Sequence, residues 1–474
     1  MLEFLKKYDP VRLFLVAIIA LVARIYWFTD DVCLIPALRW LSIGEMMENG
    51  QTLYKDIWTT LEPFSAGTYY VINVCFGKSI LSLRILSLIL CIAQALLFNY
   101  YMVQANIYNT KTSYPALFYV LFSSINYDFF SLSPVQLGLT FMLPLIFILF
   151  KDVRIGDKPN NHFIAGFCLG IASLFYLPFA CFILFAIYSF VVFSSFDLKR
   201  VFQLIFAFAF PWGMVFTYFY LNGALFEVFE NLIEGNFLSE RHLYADPISI
   251  IKVALPSTIL AVVAFFLVSS RRSFINFQYS CMKIMSVWFI VSLLSFFLMD
   301  EWSYFNVYIL VPVFTFFTVY LFLLIDRFII RESLFWFVCI VFGLLHYHNI
   351  TQDKSRAKNN SSSILVSKLS DVRFNGKAVE NQSVLILGTY PEALIHNKQA
   401  TVYADWSLSL RNFSDLNNYE NISEIYTNIF EHKPEYIFDK AGLMPNLIER
   451  IPDFKTTYEM SEDKKVFRKI QSIK

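Results

Sequence analysis

The chain has 474 residues, 57% of them hydrophobic and only 16% charged, with 53 Phe and 27 Tyr, a balance foreign to a soluble protein of this length. A net charge of +1 supplies no field to gather nucleic acid, and no basic patch interleaved with aromatic rings is present to hold a single strand. The seven cysteines lie in or beside apolar runs, with no C-x-x-C pair and no histidine at metal-ligand spacing, so they read as small packing residues.

The N-terminal MLEFLKKYDPVR places Lys6, Lys7 and Arg12 before an apolar run, as a signal peptide would. The run is too long for that and lacks a small-x-small cleavage pattern, so it reads as an uncleaved anchor. From Thr29 to Phe76 one loop crowds together Asp30, Asp31, Arg39, Glu45, Glu48, Lys55, Asp56 and Glu62. Within it Pro36–Asn49 reads as a helix with Pro36, Trp40, Ile43 and Met47 on one side and Arg39, Ser42, Glu45 and Asn49 on the other, suited to the bilayer surface. Gly50 ends it, and Pro63 opens a second apolar piece, Phe64–Phe76. That piece is shorter than the roughly 20 residues a spanning helix needs and reads as interfacial or re-entrant.

Apolar runs then predict about eleven transmembrane helices, near 12–29, 80–103, 113–126, 134–150, 162–177, 178–195, 201–222, 248–269, 281–298, 304–325 and 329–347. With this count Lys111, Lys151, Arg154, Lys158, Lys199, Arg200, Arg271, Arg272, Arg327 and Arg331 all fall in cytoplasmic loops, as the positive-inside rule asks. The N-terminus is then cytoplasmic, and the first loop (30–79) and the C-terminal segment are extracytoplasmic. Lys354, Arg356 and Lys358 oppose this assignment but begin a long tail, where the rule is weak.

The chain divides into a transmembrane domain, 1–348, a polar linker, 349–363, and a soluble α/β domain, 364–474. In the last, VLILG (384–388) and ATVYADW (400–406) read as strands, Tyr419–His432 as a helix with Ile422, Ile425, Tyr426 and Ile429 at helical spacing, EYIFD as a strand and LMPNLIER as a short helix. Gly388 stands without a G-x-G-x-x-G pattern and marks no nucleotide site.

A first span, an acidic loop, G-x-x-L-Y-x-D (Gly50, Leu53, Tyr54, Asp56), a Pro-led apolar helix (Pro63), F-G-x-S (Phe76, Gly77, Ser79) and Arg84 opening the next span follow one another in order. A-G-x-x-x-G-x-A (Ala165, Gly166, Gly170, Ala172) comes before Pro178, and an aromatic-polar run before Tyr308 and Pro312. This order resembles the GT-C superfamily of membrane glycosyltransferases, which includes protein mannosyltransferases and the aminoarabinose transferases of lipid A. The resemblance implies a GT-C-like fold in a bacterial inner membrane. The activity it implies is transfer of a sugar from a polyprenyl-phosphate donor to an envelope acceptor on the extracytoplasmic face. By the same resemblance Asp30 or Asp31 is the catalytic carboxylate, acting as general base or binding acceptor or metal. The resemblance fixes no cofactor and leaves a divalent metal ion at those carboxylates open.

Sugar transfer to a hydroxyl needs a carboxylate to take the proton and a cation for the departing phosphate. Candidates to bind substrate are Arg39, Glu45, Tyr54, Asp56, Arg84, Asp128, Arg241, Glu301 and Tyr308. Several of the candidates have a structural alternative: Asp30 and Asp31 capping the membrane edge, Asp128 forming a turn, Arg84 snorkelling, Arg241 in a solvated loop, and Asp300 with Glu301 ending a helix. Arg24 reads as the buried partner of a loop carboxylate. The chain lacks the Asp-Glu pair usual in the first loop of such transferases and the lysine usual before the proline near Pro178, where Phe175, Tyr176 and Leu177 stand. A second reading is therefore a catalytically silent scaffold whose C-terminal domain binds an envelope partner. A transporter fits less well, because ionisable residues are nearly absent from mid-span.

Overall fold

The computed structural model describes residues 2–30, 32–155, 159–193, 198–238, 242–269, 276–299, 301–358, 365–367, 373–375, 377–388, 392–461 and 465–470. The chain divides into two compact units, one of Met1–Asp30, Leu83–Thr217 and Leu243–Ser355, the other of Asp31–Ser82, Tyr218–His242 and Arg356–Lys474.

The first unit is helical. Among the described residues eight helices, of 19 to 28 residues, are long and apolar enough to cross a membrane: Pro10–Phe28, Ile80–Gln104, Pro134–Arg154, Leu198–Leu221, Pro247–Ser269, Asn276–Leu298, Tyr304–Leu324 and Phe328–Ser355. The protein is an integral membrane protein. Three of the eleven expected spans fall short. The run at 113–126 makes only a nine-residue helix, Tyr114–Phe122, because the chain turns at Ser123 and Asn126 accepts from the Tyr127 amide to start a 3-10 turn, Tyr127–Phe130. The runs at 162–177 and 178–195 give Asn160–Phe175 and Leu177–Phe193, parted where Tyr176 is extended ahead of Pro178.

Close helix packing explains the A-G-x-x-x-G-x-A motif. A Cβ on Gly166 would lie 2.3 Å from the Leu204 carbonyl oxygen and one on Gly170 2.5 Å from that of Phe208, so small residues let helix 159–175 rest on the backbone of helix 198–221. Between helices, polar side chains satisfy one another. Tyr119 and Tyr308 hydroxyls each donate to Gln94 Oε1 at 3.0 Å, the Gln94 amide donates to the Gln136 carbonyl at 2.6 Å, and the Gln136 amide to that of Ser87 at 2.9 Å. Arg24 Nη1 then donates to Ser87 Oγ at 3.2 Å.

The second unit is built from three distant stretches. The first-loop helix spans Ile35–Glu48, one residue earlier at each end than its pattern predicts, and it is no surface helix, since Arg39 and Ser42 of its polar side are buried with Trp40 and Ile43. Helix Pro63–Phe76 packs on it, Tyr69 stacking on Trp40 at 5.5 Å, and a Cβ on Gly44 would meet the Tyr69 carbonyl oxygen at 2.6 Å. At 14 residues it is about 21 Å long, too short to cross the bilayer, as expected.

Strand β1 (Val32–Leu34) pairs antiparallel with β2 (Leu365–Ser367), Cys33 opposite Val366. Beyond it β3 (Ser383–Leu387), β4 (Lys398–Gln399), β5 (Tyr436–Asp439), β6 (Tyr458–Met460) and β7 (Val466–Lys469) form a sheet in the order β6-β7-β5-β3-β4. Strands β4, β3 and β5 run parallel, and β7 and β6 are added antiparallel. The α/β reading holds for these elements, with helices Tyr419–His432 and Met444–Arg450 where the pattern puts them. ATVYADW is the exception. Only Lys398–Gln399 pairs as a strand, and Trp406 opens a helix, Trp406–Phe413, capped by Asp405, whose side chain accepts from the Ser407 amide.

First-loop residues enter this domain's core. The Trp58 amide donates to the Val402 carbonyl at 2.8 Å, and the Trp58 ring packs with Leu385, Val402, Tyr403 and Leu408. Arg39 Nη1 lies 3.2 Å from Asp405 Oδ2, the Arg39 side chain 9% exposed and that of Asp405 0%, while Thr60 Oγ1 adds a bond to the same oxygen at 3.3 Å. Arg411 lies over the Trp58 ring at 4.5 Å and donates to Glu230 at 2.6 Å and Asn231 at 2.9 Å.

Breaking a buried pair by removing one partner typically costs about 3–5 kcal/mol. Arg39→Met should therefore lower the unfolding free energy of the purified protein by that order in denaturant titration. A loss below about 1 kcal/mol, the worth of an exposed pair, would show that Asp405 does not depend on Arg39.

Candidate functional site

The best-connected candidates lie in the first unit, where the first span ends. Arg84, 1% exposed, donates to the Asp30 carbonyl at 3.0 Å and also to that of Trp27, with its guanidinium over the Trp27 ring at 4.8 Å. The Asp30 carboxylate, its side chain 10% exposed, pairs with the Lys354 ammonium. Asp353, next to Lys354 and buried, accepts from the Tyr127 hydroxyl, and the Tyr127 ring lies 5.6 Å from that of Trp27. A carboxylate paired with one cation, and a second cation on its own backbone carbonyl, thus sit at the end of a span, with the turn that carries Asp128 close by.

That turn is held by buried polar groups. Arg24 donates through Nη2 to the Ser123 carbonyl at 2.9 Å and lies over the Phe130 ring at 4.8 Å, so the two ends of segment 123–130 are fixed to the first span. Its partners are neutral oxygens and a ring, where a loop carboxylate was expected. Asp128, 2% exposed, accepts at Oδ2 from Ser303 Oγ at 3.0 Å, while its buried Oδ1 has no hydrogen-bond partner among the described residues. Burial pushes the Asp128 carboxyl up to about 8; the Ser303 bond and the Phe305 and Tyr304 amides pull it down, and Asp353 adds to the rise.

Glu301 is buried, and its carbonyl accepts from the Asn306 amide at 2.6 Å. Tyr308 is bound to Gln94 within the helix bundle, and its ring lies 5.2 Å from that of Phe129. Arg39, Glu45, Tyr54 and Asp56 belong to the second unit, each with a partner inside it. Arg39 holds Asp405 and Glu45 accepts from Lys78 at 2.8 Å. Tyr54, in the left-handed region at φ 67°, donates to the Leu61 carbonyl at 2.8 Å. Asp56 accepts from the Thr52 amide at 2.8 Å, closing the turn of the G-x-x-L-Y-x-D motif. Asp31, Arg241 and Asp300 lie outside the described residues.

Lys354 and Asp353 are the members that sequence reasoning passed over. Lys354 entered only as a basic residue against the topology, although an acidic-basic pair ending an apolar helix could have signalled a boundary site. Among the described residues no three His, Cys, Asp or Glu side chains converge as ligands for a metal ion.

Since the unfolded carboxyl titrates near 3.9 and the folded Asp128 near 8, the folded state holds the extra proton between those values. Its stability contribution is complete below about pH 4 and is lost as pH rises toward 8. The thermal midpoint should fall over that window, and Asp128→Asn should flatten the fall. An equal slope in wild type and variant would place the titration elsewhere.

The solved structures similar to this chain include an archaeal oligosaccharyltransferase, AglB from Archaeoglobus fulgidus, in complex with an inhibitory peptide and a dolichol-phosphate. It is 12% identical, with a TM-score of 0.46 over 98% of this chain and 74% of that one. No curated protein sequence matches the chain. The model of a family of unknown function, DUF6427, matches residues 67–353, more than half the chain, and the protein belongs to that family.

Proposed function

We propose that the protein is a membrane glycosyltransferase of GT-C type that moves a sugar from a polyprenyl-phosphate donor to an envelope hydroxyl. The carrying observation is the Asp30 carboxylate at the end of the first span, with Lys354 paired to it and Arg84 on its own backbone carbonyl. The order of sequence motifs supplies the class of reaction, and this cluster supplies the groups that class needs. Lys354 and Arg84 take the donor phosphate, which draws Lys354 away from Asp30. The freed carboxylate accepts the proton of the acceptor hydroxyl as its oxygen bonds to the anomeric carbon. The bond from that carbon to the phosphate oxygen breaks, and the lipid phosphate leaves as an anion without general-acid help.

The distribution of basic residues supports a cytoplasmic N-terminus with the first loop and C-terminal segment outside, an arrangement that needs an odd number of crossings and so requires at least one of the short helices Tyr114–Phe122, Asn160–Phe175 and Leu177–Phe193 to cross besides the eight long ones. A tag at Lys474 should react only from the extracytoplasmic side of intact cells, and labelling from the cytoplasmic side overturns this topology.

A second reading is a scaffold without catalysis. It is favoured by the same contacts seen from the other side: Asp30 already has a cation and Arg84 two carbonyl partners. General-base loss typically costs about 10²–10⁴-fold in rate. Asp30→Asn in a complemented deletion strain should therefore abolish one envelope glycan at unchanged protein level. If the deletion itself leaves the glycan profile intact, the scaffold reading stands and the transferase reading falls.

A further inference from the structure

On the C-terminal domain, helix Tyr419–His432 and the chain at 450–453 enclose an open groove of about 330 Å³, at the small end of ligand-site volumes. Tyr419, Ile422, Ser423 and Tyr426 line it from the helix, at positions that fall within about 100° of arc. Buried Ile451 lines it too, together with Arg450, Pro452 and Asp453. Tyr419 is 89% exposed, a large ring at the first turn of a helix capped by Asn418. Tyr426, 41% exposed, stacks on Phe430 at 4.6 Å and donates its hydroxyl to Asp453 at 3.1 Å. Arg450 donates to Asn417.

We propose that this groove binds a neutral pyranose unit of an oligosaccharide. A pyranose has an apolar face of C–H groups and a rim of hydroxyls, and the groove answers both. The exposed Tyr419 ring is a platform for the face. The Asp453 carboxylate, with acceptor sites beyond the one Tyr426 fills, and Arg450, with five N–H donors, serve the hydroxyls. Size limits the ligand to one or two rings, and the charged lining residues, Asp453 and Arg450, balance one another, which suits a neutral ligand. The groove belongs to the second unit and the Asp30 cluster to the first, and its binding does not require that cluster to be catalytic.

The test is binding of the full-length protein, in a detergent without a sugar headgroup, to a printed array of neutral and acidic oligosaccharides. Wild type should bind a set of neutral glycans. Tyr419→Ala and Asp453→Asn should each weaken that binding by roughly tenfold or more, about 1.4 kcal/mol, with an unchanged thermal midpoint because both side chains are exposed. Binding confined to acidic glycans, no binding at all, or neutral binding that both variants retain would each overturn the proposal. Transfer activity is not read, so a failure here leaves the Asp30 proposal untouched, and a catalytically silent protein can still pass.

Discussion

The contact between Arg39 and Asp405 ties together residues 366 apart in sequence, and much of the second unit depends on it. Two charges withdrawn from water are tolerated only when their remaining hydrogen-bonding capacity is met. Here Thr60 shares the same carboxylate oxygen, and the other caps helix Trp406–Phe413 through the Ser407 amide at 3.1 Å. The pair therefore sets a register. The first-loop helix can seat its polar side only where Asp405 waits, and Asp405 can cap its helix only from that position. Trp58 in the core and Arg411 over its ring complete the lock with apolar area and a second set of charged hydrogen bonds.

A related constraint shapes the membrane unit, where a buried polar group has no water to turn to. Tyr308, Gln94, Gln136, Ser87 and Arg24 answer it by bonding in sequence across several helices. Arg24 then reaches the carbonyl at the end of helix Tyr114–Phe122. One set of bonds thereby packs the helices and fixes the turn on which Asp128 stands. The span ends carrying Asp30 and Arg84 belong to two of these helices, and Lys354 is brought to Asp30 from helix Phe328–Lys358.

Most of the secondary structure was legible because its signals are local. Composition and run length declare the membrane class, and Pro63 and Gly50 punctuate the first loop where its helices end and begin. What escaped was set by partners far away in sequence. The polar side of the first-loop helix looks like a solvated face until Asp405 is placed beside it. Lys354 looks like a topological exception until it is paired with Asp30, 324 residues earlier. The Asp405 cap carried a readable signal, an acidic residue before a helix, but the β-rich letters of ATVYADW outweighed it. Two apolar runs near Pro178 suggested full spans because hydropathy does not register where an extended residue breaks the rod.

The discontinuous build of the second unit sets a schedule on the ribosome. Translation at about 5–20 residues per second separates the emergence of Arg39 from that of Asp405 by roughly 20–70 s. Throughout that interval every spanning helix after the first can be made and inserted, while the first loop waits with its arginine, Trp58 and the β1 edge uncovered. Long-range closure of this kind is slow and comes last. The nascent chain therefore carries a half-built domain through its whole insertion, and a quality-control factor that reads exposed aromatic and strand-edge surface has most of the synthesis time in which to meet it.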